Sequence, residues 1–355
     1  MVLTELILKE YDMEKSYEVV YGADANFASV MGVSIVSLFS SNTDAQEINL
    51  TILDSGISEI DKRKIEIVCR QFHRNYPRWI PITNINKKLS LKLKADRGSL
   101  AQFARLFLAE VYPNDVCRVL YLDCDTVVTS SISELWNFDL KGKTLAVVKD
   151  AFSKYYRNNI GLSSNDIMFN SGMMLIDLVK WRSRSVEERL INFIKEKKGN
   201  IQQGDQGVLN AILADEVRIL EPKYNSVSLI MMMDYQSIIK YRKPVNFYSK
   251  TEISYAKKNP VVIHYTSGFY VIRPWLKNSN HPRKYEWLKY KKMSPWRKER
   301  LEDNNKQFYV RLFYLLPQNI ALAIAGFFQA YLRPYKNRMY YKLCDFYQHI
   351  FKDNK

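Results

Sequence analysis

Short apolar runs alternate with amphipathic segments along residues 16–275, and this alternation predicts strands connected by helices. The predicted strands are 16–23, 48–56, 118–128, 143–151, 168–178 and 260–268. The predicted helices are 27–41, 59–72, 99–113, a segment around 186–199 and a segment within 203–215. We therefore expect an α/β sheet covered by helices on both faces, with ligands at the carboxyl ends of its strands.

The composition is that of a folded protein larger than a usual single domain. Its 355 residues are 47% hydrophobic and 25% charged, which excludes disorder of the whole chain and favours two domains, or one with an appendage. Four cysteines without paired spacing exclude a disulfide scaffold or zinc ribbon and favour a reducing compartment. Acids stand in the first twenty residues where a signal peptide needs basic ones, so we expect a cytoplasmic protein.

Positive charge is concentrated after residue 275. The formal net charge is +16, and residues 276–355 hold 17 basic and 6 acidic residues, or +11. The first 275 residues therefore carry only +5. This distribution gives little support to nucleic-acid binding by the main body, and we expect no nucleic-acid partner.

Two acids interrupt an apolar run that is predicted to be a strand. Asp123 and Asp125 flank Cys124 between LYL and TVV. Carboxylates are costly in a buried strand unless a metal ion or a positive partner compensates them. Two acids one residue apart reach a single divalent cation where the strand bends. The alternative is that one acid caps the next turn and the other is exposed; the apolar flanks favour the metal site.

A histidine at the end of another apolar run extends this candidate site. His264 lies in VVIHYTSG, where a predicted strand enters a glycine-containing loop. Alone, such a histidine is more often a hydrogen-bonded core residue than a ligand. Together with two carboxylates, however, its imidazole forms a mixed oxygen and nitrogen set. That set favours Mn²⁺, with Mg²⁺ as the alternative.

Two further segments place polar side chains beside glycine, where a backbone can approach a ligand closely. They are 169–172 (FNSG) and 204–207 (GDQG), and each alone is ordinary turn chemistry. A Walker lysine loop, a GxGxxG motif and a Gly-x-Ser-x-Gly elbow are all absent from the sequence. Kinase, dehydrogenase and α/β-hydrolase functions therefore lose their usual support.

Taken in order, six motifs resemble family 8 of the retaining glycosyltransferases, which includes bacterial lipopolysaccharide galactosyl- and glucosyltransferases and glycogenin. The motifs are YGADANFA, ARL, LYLDCDTVV, FNSGMMLIDLVKWR, GDQGVLN and HYTSG. They fall within residues 17–275. The resemblance implies a GT-A fold, in which a Rossmann-like nucleotide half is fused to an acceptor half around a mixed sheet.

The resemblance also implies roles for individual residues. The implied donor contacts are Gly22, Ala23, Asp24, Asn26, Arg105, Cys124, Asn170, Ser171, Gly172, Gly268 and Arg273. Asp150 and Asp205 would bind donor-sugar hydroxyls, and Gln206 would lie beneath the anomeric carbon; these three are the expected catalytic residues.

Metal binding would fall to Asp123, Asp125 and His264. The sequence departs from the family pattern after this histidine, since HYTSGFYVIRPW is longer than the usual motif and Arg273 replaces its lysine. Arginine still binds phosphate, often bidentately. Arg97 stands near a position where some relatives have an acceptor-contacting histidine, so the acceptor is not implied.

The function implied is transfer of galactose or glucose from a UDP-sugar to a glycan or glycolipid acceptor, with α linkage, in cell-surface polysaccharide or lipopolysaccharide synthesis. Two alternatives stay open. One is a sugar-nucleotide-binding protein that has lost catalysis, and the other is a metal-dependent nucleotidyl or phosphoryl transferase.

We expect residues 1–275 to form the catalytic domain and 276–355 a mainly helical, basic and aromatic extension. Its apolar segment 312–332 contains Pro317, Gln318, Asn319 and Gln329, which favour an interfacial segment over a membrane span. A helical subdomain packed on the core is the third alternative. The expected location is the cytoplasmic face of the plasma membrane, on an anionic surface beside a lipid-linked acceptor.

Overall fold

A seven-stranded mixed sheet forms the centre of the protein. The computed structural model describes residues 16–82, 101–304 and 307–352; the start of the chain and Arg97 lie outside them. The strands are β1 (Ser16–Ala23), β2 (Glu47–Asp54), β3 (Arg78–Pro81), β4 (Arg118–Leu122), β5 (Thr126–Val128), β6 (Leu145–Lys149), β7 (Phe169–Asp177), β8 (Val217–Ile219), β9 (Ser226–Val227) and β10 (Val262–His264).

Helices surround the sheet and continue to the end of the described chain. They are α1 (Ala28–Ser41), α2 (Glu59–Gln71), α3 (Leu108–Val111), α4 (Ser133–Trp136), α5 (Lys154–Asn158), α6 (Leu178–Ser183), α7 (Val186–Glu196), α8 (Gly204–Leu213), α9 (Ser228–Met232), α10 (Tyr235–Arg242), α11 (Lys250–Lys258), α12 (Lys284–Met293), α13 (Gln307–Leu315), α14 (Gln318–Phe327) and α15 (Arg333–Lys352). The predicted α/β class and the helical C-terminal extension are both confirmed.

One reversed strand brings polar residues to the edge of the sheet where the parallel strands end. The strand order is β3-β2-β1-β4-β7-β6-β8. Only β7 runs against its neighbours, pairing antiparallel with β4 and β6. The carboxyl ends of β1, β4 and β6 therefore meet the amino end of β7, so that residues after Leu122 and Lys149 face residues at the start of β7.

The prediction of a single strand over 118–128 is wrong. Strand β4 ends at Leu122, and β5 belongs to a second sheet of order β5-β10-β9. The chain turns at the two acids, and the Thr126 hydroxyl donates to the Asp123 carbonyl at 2.8 Å. The predicted helix 99–113 also differs: its described part is a 3₁₀ segment, Ala101–Phe107, followed by the single turn α3.

Helix α1 lies buried between the second sheet and residues 284–298. It packs against β5, α2 and α12, and nearly all of its side chains are buried. Trp296, just after α12, covers Gly32 so closely that a Cβ there would lie 2.9 Å from the indole Cε3. The Trp296 Nε1–H donates to Asp61 on α2. Residues 284–298 are thus part of the main core.

The rest of the extension is more exposed. Helices α13 and α14 are separated at Pro317, within the segment 312–332. A π-helical turn, Phe328–Leu332, joins α14 to α15. Within the described ranges, no helix has both the length and the apolar character needed to cross a membrane.

Replacing Gly32 by alanine is expected to destabilise the fold by about 1–3 kcal/mol, because the added methyl overlaps the indole of Trp296. Trp296→Leu removes the overlapping ring atoms, so the double variant should lose less stability than the sum of the two single variants. Urea unfolding of all four proteins measures the difference. Strict additivity would contradict the packing of residues 284–298 on α1.

Candidate functional site

Three metal-ligand side chains converge where the two sheets meet. Asp123 follows β4, Asp125 precedes β5, and His264 ends β10 opposite Thr126 of β5. One ligand atom from each of the three side chains lies within 4.8 Å of the others. The His264 Nε2 is 3.1 Å from Asp125 Oδ1 and 3.6 Å from Asp123 Oδ2. Two carboxylates and one imidazole fit a divalent cation that accepts both oxygen and nitrogen ligands.

Electrostatics favour a positive charge at this cluster. Burial of His264 lowers its pKa, but the Asp125 and Asp123 carboxylates more than compensate and raise it overall. Negative charge is therefore in excess around the imidazole, which a bound proton or a metal cation relieves.

A chain of hydrogen bonds fixes which nitrogen of His264 faces the acids. The backbone N–H of Gly172 donates to Asn170 Oδ1 at 3.0 Å, so that amide oxygen is an acceptor. Asn225 Nδ2 donates to the same oxygen at 2.8 Å, which leaves Asn225 Oδ1 facing His264 Nδ1 at 2.9 Å. Nδ1 must then carry the proton. Nε2 therefore faces the carboxylates, where it holds either a second proton or, after losing that proton, a metal cation.

Gly172 also makes room for these ligands. A Cβ at this position would lie 2.6 Å from His264 Nδ1 and 2.8 Å from Asp123 Oδ2. The Asp123 backbone N–H donates to the Gly172 carbonyl at 2.8 Å, which joins the end of β4 to the start of β7. The FNSG motif thus contributes space and orientation to the cluster.

Arg105 connects two of the buried acids. Its Nη2 donates to Asp123 Oδ1 at 2.8 Å, and its Nε lies 3.0 Å from Asp205 Oδ2. Burial opposes the charged form, but Asp123 and Asp205 raise the pKa of Arg105 overall. Burial raises the pKa of Asp205 to about 6, although Arg105 opposes this. The Arg105 Nε–H points to the Gln102 carbonyl, so the described residues leave the buried Asp205 Oδ2 without a hydrogen-bond donor.

Gln206 is held between Asp150 and the start of β7. Its Nε2 donates to Asp150 Oδ2 at 3.3 Å, and its Oε1 accepts from Asn170 Nδ2 and the Ser171 N–H, each at 3.3 Å. The turn into α8 is left-handed at Gly204 (φ 57°), a conformation that costs glycine little. The GDQG motif is therefore the first turn of α8.

Most of the predicted residues line one cleft of about 420 Å³. They are Arg105, Asp123, Asp125, Asp150, Asn170, Ser171, Asp205, Gln206, His264 and Gly268. Gly172 lies directly behind His264, as described above.

The predicted nucleotide residues lie beside this cleft, at the end of β1. Ala23 is buried, and Asp24 accepts from the Asn26 N–H in the turn before α1. The Cys124 thiol contacts the Gly22 carbonyl at 3.0 Å and so connects this turn with the two acids. Arg273 Nη1 is 3.5 Å from Asp125 Oδ2.

Sequence reasoning missed several residues of the site. Asn225 carried no motif signal, although it orients His264. Arg242, 3.7 Å from Asp150 Oδ1, stands in an ordinary basic stretch of the sequence. Gln329, Arg333 and Asn337 line the cleft from the C-terminal extension, to which the sequence assigned no part of the site. In the sequence, only the spacing of four residues between Gln329, Arg333 and Asn337 indicates that their side chains share a helix face.

This fold, with its cluster of acids, amides and a histidine where the two sheets meet, is that of a glycosyltransferase of the GT-A class. The sequence model of glycosyl transferase family 8 matches residues 18–279. The chain belongs to this family and is a glycosyltransferase.

Known relatives and solved structures are similar over most of the chain. General stress protein A of Bacillus subtilis (strain 168) is 29% identical over 280 residues, covering 77% of this chain and 92% of the relative. Lipopolysaccharide 1,2-glucosyltransferase of Escherichia coli (strain K12) is 27% identical over 344 residues, covering 90% and 91%. The crystal structure of galactosyltransferase LgtC with donor and acceptor sugar analogs matches with a TM-score of 0.64 and 25% identity, covering 78% of this chain and 96% of that one. The GT-A fold is thereby confirmed.

Proposed function

We propose that this protein transfers a hexose, galactose or glucose, from a UDP-sugar to a glycan or glycolipid acceptor, with retention to an α linkage. The observation that carries the proposal is the Asp123–Asp125–His264 cluster, which shares one cleft with Asp150 and Gln206. Relatives named as a lipopolysaccharide 1,2-glucosyltransferase and a lipopolysaccharide 1,3-galactosyltransferase support hexose transfer in cell-surface polysaccharide synthesis.

The nucleotide would lie at the end of β1, and its diphosphate would lie at the acid cluster. Asp123, Asp125 and His264 Nε2 would hold Mn²⁺, with Mg²⁺ as the alternative. Such a cation, when bound, stabilises the negative charge that develops on departing UDP. Arg273 adds positive charge on the same side, and its guanidinium is supported by the Trp275 ring, 4.5 Å away.

The donor sugar would lie over Asp205, Asp150 and Gln206. The buried Asp205 Oδ2 receives no hydrogen bond from the part of the chain that the structure describes, and a hydroxyl of the sugar would supply one. Asp150 Oδ2 accepts only long bonds from two amides, at 3.2 and 3.3 Å, so it also remains available to a hydroxyl.

Retention by same-face attack fits these residues better than a double displacement. A double displacement needs a carboxylate nucleophile beneath the anomeric carbon, whereas the matching position holds Gln206, a neutral amide. In the proposed step the acceptor oxygen bonds to the anomeric carbon as the bond from that carbon to phosphate breaks. The electron pair leaves with UDP, whose phosphate oxygen takes the acceptor proton. The Gln206 carbonyl oxygen would stabilise the cationic sugar.

Removal of one metal ligand tests the proposed function. Asp125→Ala and the isosteric Asp125→Asn should lower kcat/KM for UDP-hexose by about a thousandfold, because the diphosphate loses its compensation. EDTA should do the same to the unchanged protein. Transfer and hydrolysis of UDP-galactose and UDP-glucose are measured with MnCl₂, and Asp115→Asn, an exposed acid outside the cleft, is the matched control. A folded Asp125→Ala protein that keeps most of its activity in EDTA would refute the metal assignment.

Gln206→Ala tests the mechanism. Turnover should fall by about tenfold or more while KM for the donor changes little, because the amide acts on the developing cation. Steady-state kinetics separate the two constants, and Gln236→Ala on the exposed side of α10 is the control. An effect on KM alone would make Gln206 a positioning residue. A sugar adduct on Asp205 or Asp150, detected by intact mass, would establish double displacement.

We also propose that residues 1–275 supply the catalytic centre and that 276–355 attach the protein to the cytoplasmic face of the plasma membrane. Residues 284–298 pack into the core, so the attaching surface would be the later part of the extension. Phe308, Leu315 and Tyr335 are 69%, 79% and 63% exposed there. Nearby basic residues would contact anionic lipid.

Sedimentation with vesicles tests this attachment. The full chain should bind vesicles containing anionic lipid at low salt and be released at high salt. A variant with Phe308→Ser, Leu315→Ser and Tyr335→Ser should lose most of the binding. The matched control carries Ile60→Ser and Tyr76→Ser, which are 63% and 56% exposed elsewhere on the surface. Absence of binding by the unchanged protein at low salt would refute the attachment.

A further inference from the structure

The terminal helix forms one wall of the catalytic cleft. Gln329, Arg333 and Asn337 are spaced by four residues, so they share one face of the helix, and all three line the cleft together with Asp150 and Gln206. This wall lies outside residues 18–279, which the family model matches.

The π turn Phe328–Leu332 attaches the terminal helix α15 to the segment that follows β6. Pro334 has no N–H, and the Arg333 N–H is taken by the Phe328 carbonyl in the π turn. The Gln329 carbonyl therefore lacks a helical donor, and the Ala330 carbonyl lacks the α-helical donor that residue 334 would supply. The Tyr156 hydroxyl donates to the first at 3.0 Å and the Ser153 hydroxyl to the second at 2.8 Å.

These two hydroxyls belong to the segment directly after Asp150. In addition, Asn159 Nδ2 donates to the Pro334 carbonyl at 2.9 Å. The position of Arg333 relative to Asp150 is therefore set by side-chain hydrogen bonds that reach the helix from a single neighbouring segment. π turns are frequent at functional sites, where they redirect side chains.

Arg333 differs in its surroundings from the other arginines of the cleft. Arg105 and Arg242 line the cleft and Arg273 lies beside it, and each of these three has a carboxylate within 3.7 Å. For Arg333, the described part of the chain supplies no acidic partner within ion-pair distance. Its charge does reach Tyr156, whose pKa burial raises and Arg333 lowers.

The side-chain amide of Gln202 is a second hydrogen-bond donor near this wall, in addition to Arg333. Gln202 lines the same cleft and is buried. Its Oε1 accepts from Asn159, the residue that also donates to Pro334, whereas its Nε2 has no acceptor within residues 16–82, 101–304 and 307–352. The wall thus has donors in excess. A group that offers only acceptor oxygens would satisfy them.

We propose that Arg333, flanked by Asn337 and Gln202, binds a negatively charged group, phosphate or carboxylate, on the acceptor glycan. The acceptor of this enzyme is then an anionic saccharide, and Arg333 is a specificity-determining residue. The inference rests on the proposed function, because the cleft must hold a donor sugar for an acceptor to be placed beside it. The donor diphosphate is served by other groups, Arg273 and the Asp123–Asp125–His264 cluster.

Titration calorimetry on the full chain tests the inference. The protein is first saturated with UDP and MnCl₂, so that the probes do not bind at the diphosphate position. Methyl α-glucoside, its 6-phosphate and the corresponding methyl glucuronoside are then titrated separately. The phosphorylated and carboxylated arms distinguish the two sources of charge. The variants are Arg333→Gln, the charge-conserving Arg333→Lys, and Arg338→Gln, a matched control on the other side of the same helix.

At least one charged probe should bind the unchanged protein about tenfold or more tightly than the neutral glucoside. Arg333→Gln should abolish this preference with less than a twofold change in UDP affinity. Arg333→Lys should retain part of it, and Arg338→Gln all of it. If the protein binds UDP but shows no preference among the probes, or binds none of them, this inference is overturned and the proposed function is not. A parallel loss of UDP affinity in Arg333→Gln also overturns this inference. Failure of the unchanged protein to bind UDP would overturn the proposed function and this inference with it.

Discussion

The site depends on the crowding of four carboxylates at one edge of a buried sheet. Asp123, Asp125, Asp150 and Asp205 end up in one cleft because β7 runs opposite to its neighbours and because the chain leaves the first sheet between the first two acids. Their repulsion is compensated by arginines at the base of the cleft, chiefly Arg105. The negative charge that remains around His264 favours binding of a cation, and the buried Asp205 oxygen favours binding of a hydroxyl on the side where we propose the donor sugar.

The glycines and amides of the motifs are as important as the acids. Gly172 leaves the space that His264 occupies and supplies the N–H from which the orientation of Asn170, Asn225 and the imidazole follows. Each hydrogen bond in this chain determines whether the next side chain presents a donor or an acceptor. An added methyl group at Gly172 would therefore disturb both the position of a ligand and its tautomer.

Periodicity predicted most of the strands and the α/β class, because apolar runs reflect burial directly. The Asp123–Asp125–His264 cluster was also predictable, since carboxylates and a histidine are conspicuous at the ends of such runs. The break of the 118–128 strand was not, because each half is apolar and only pairing with β10 reveals two sheets. Asn225 and Arg333 were missed for a related reason: their neighbours come from distant segments, and no local pattern marks them. The assignment of roles within the cluster rested on the family resemblance.

The π turn at residues 328–332 joins two surfaces that are usually independent. One face of the terminal helix lines the cleft, and its other face carries exposed aromatic and basic side chains such as Tyr335 and Arg338. Anything that binds the outer face and favours one placement of the helix also changes affinity on the inner face. Thermodynamic linkage makes this coupling reciprocal, so a filled cleft strengthens or weakens outer binding by the same factor. Through this helix, binding in the cleft and binding at the outer surface can each change the affinity of the other.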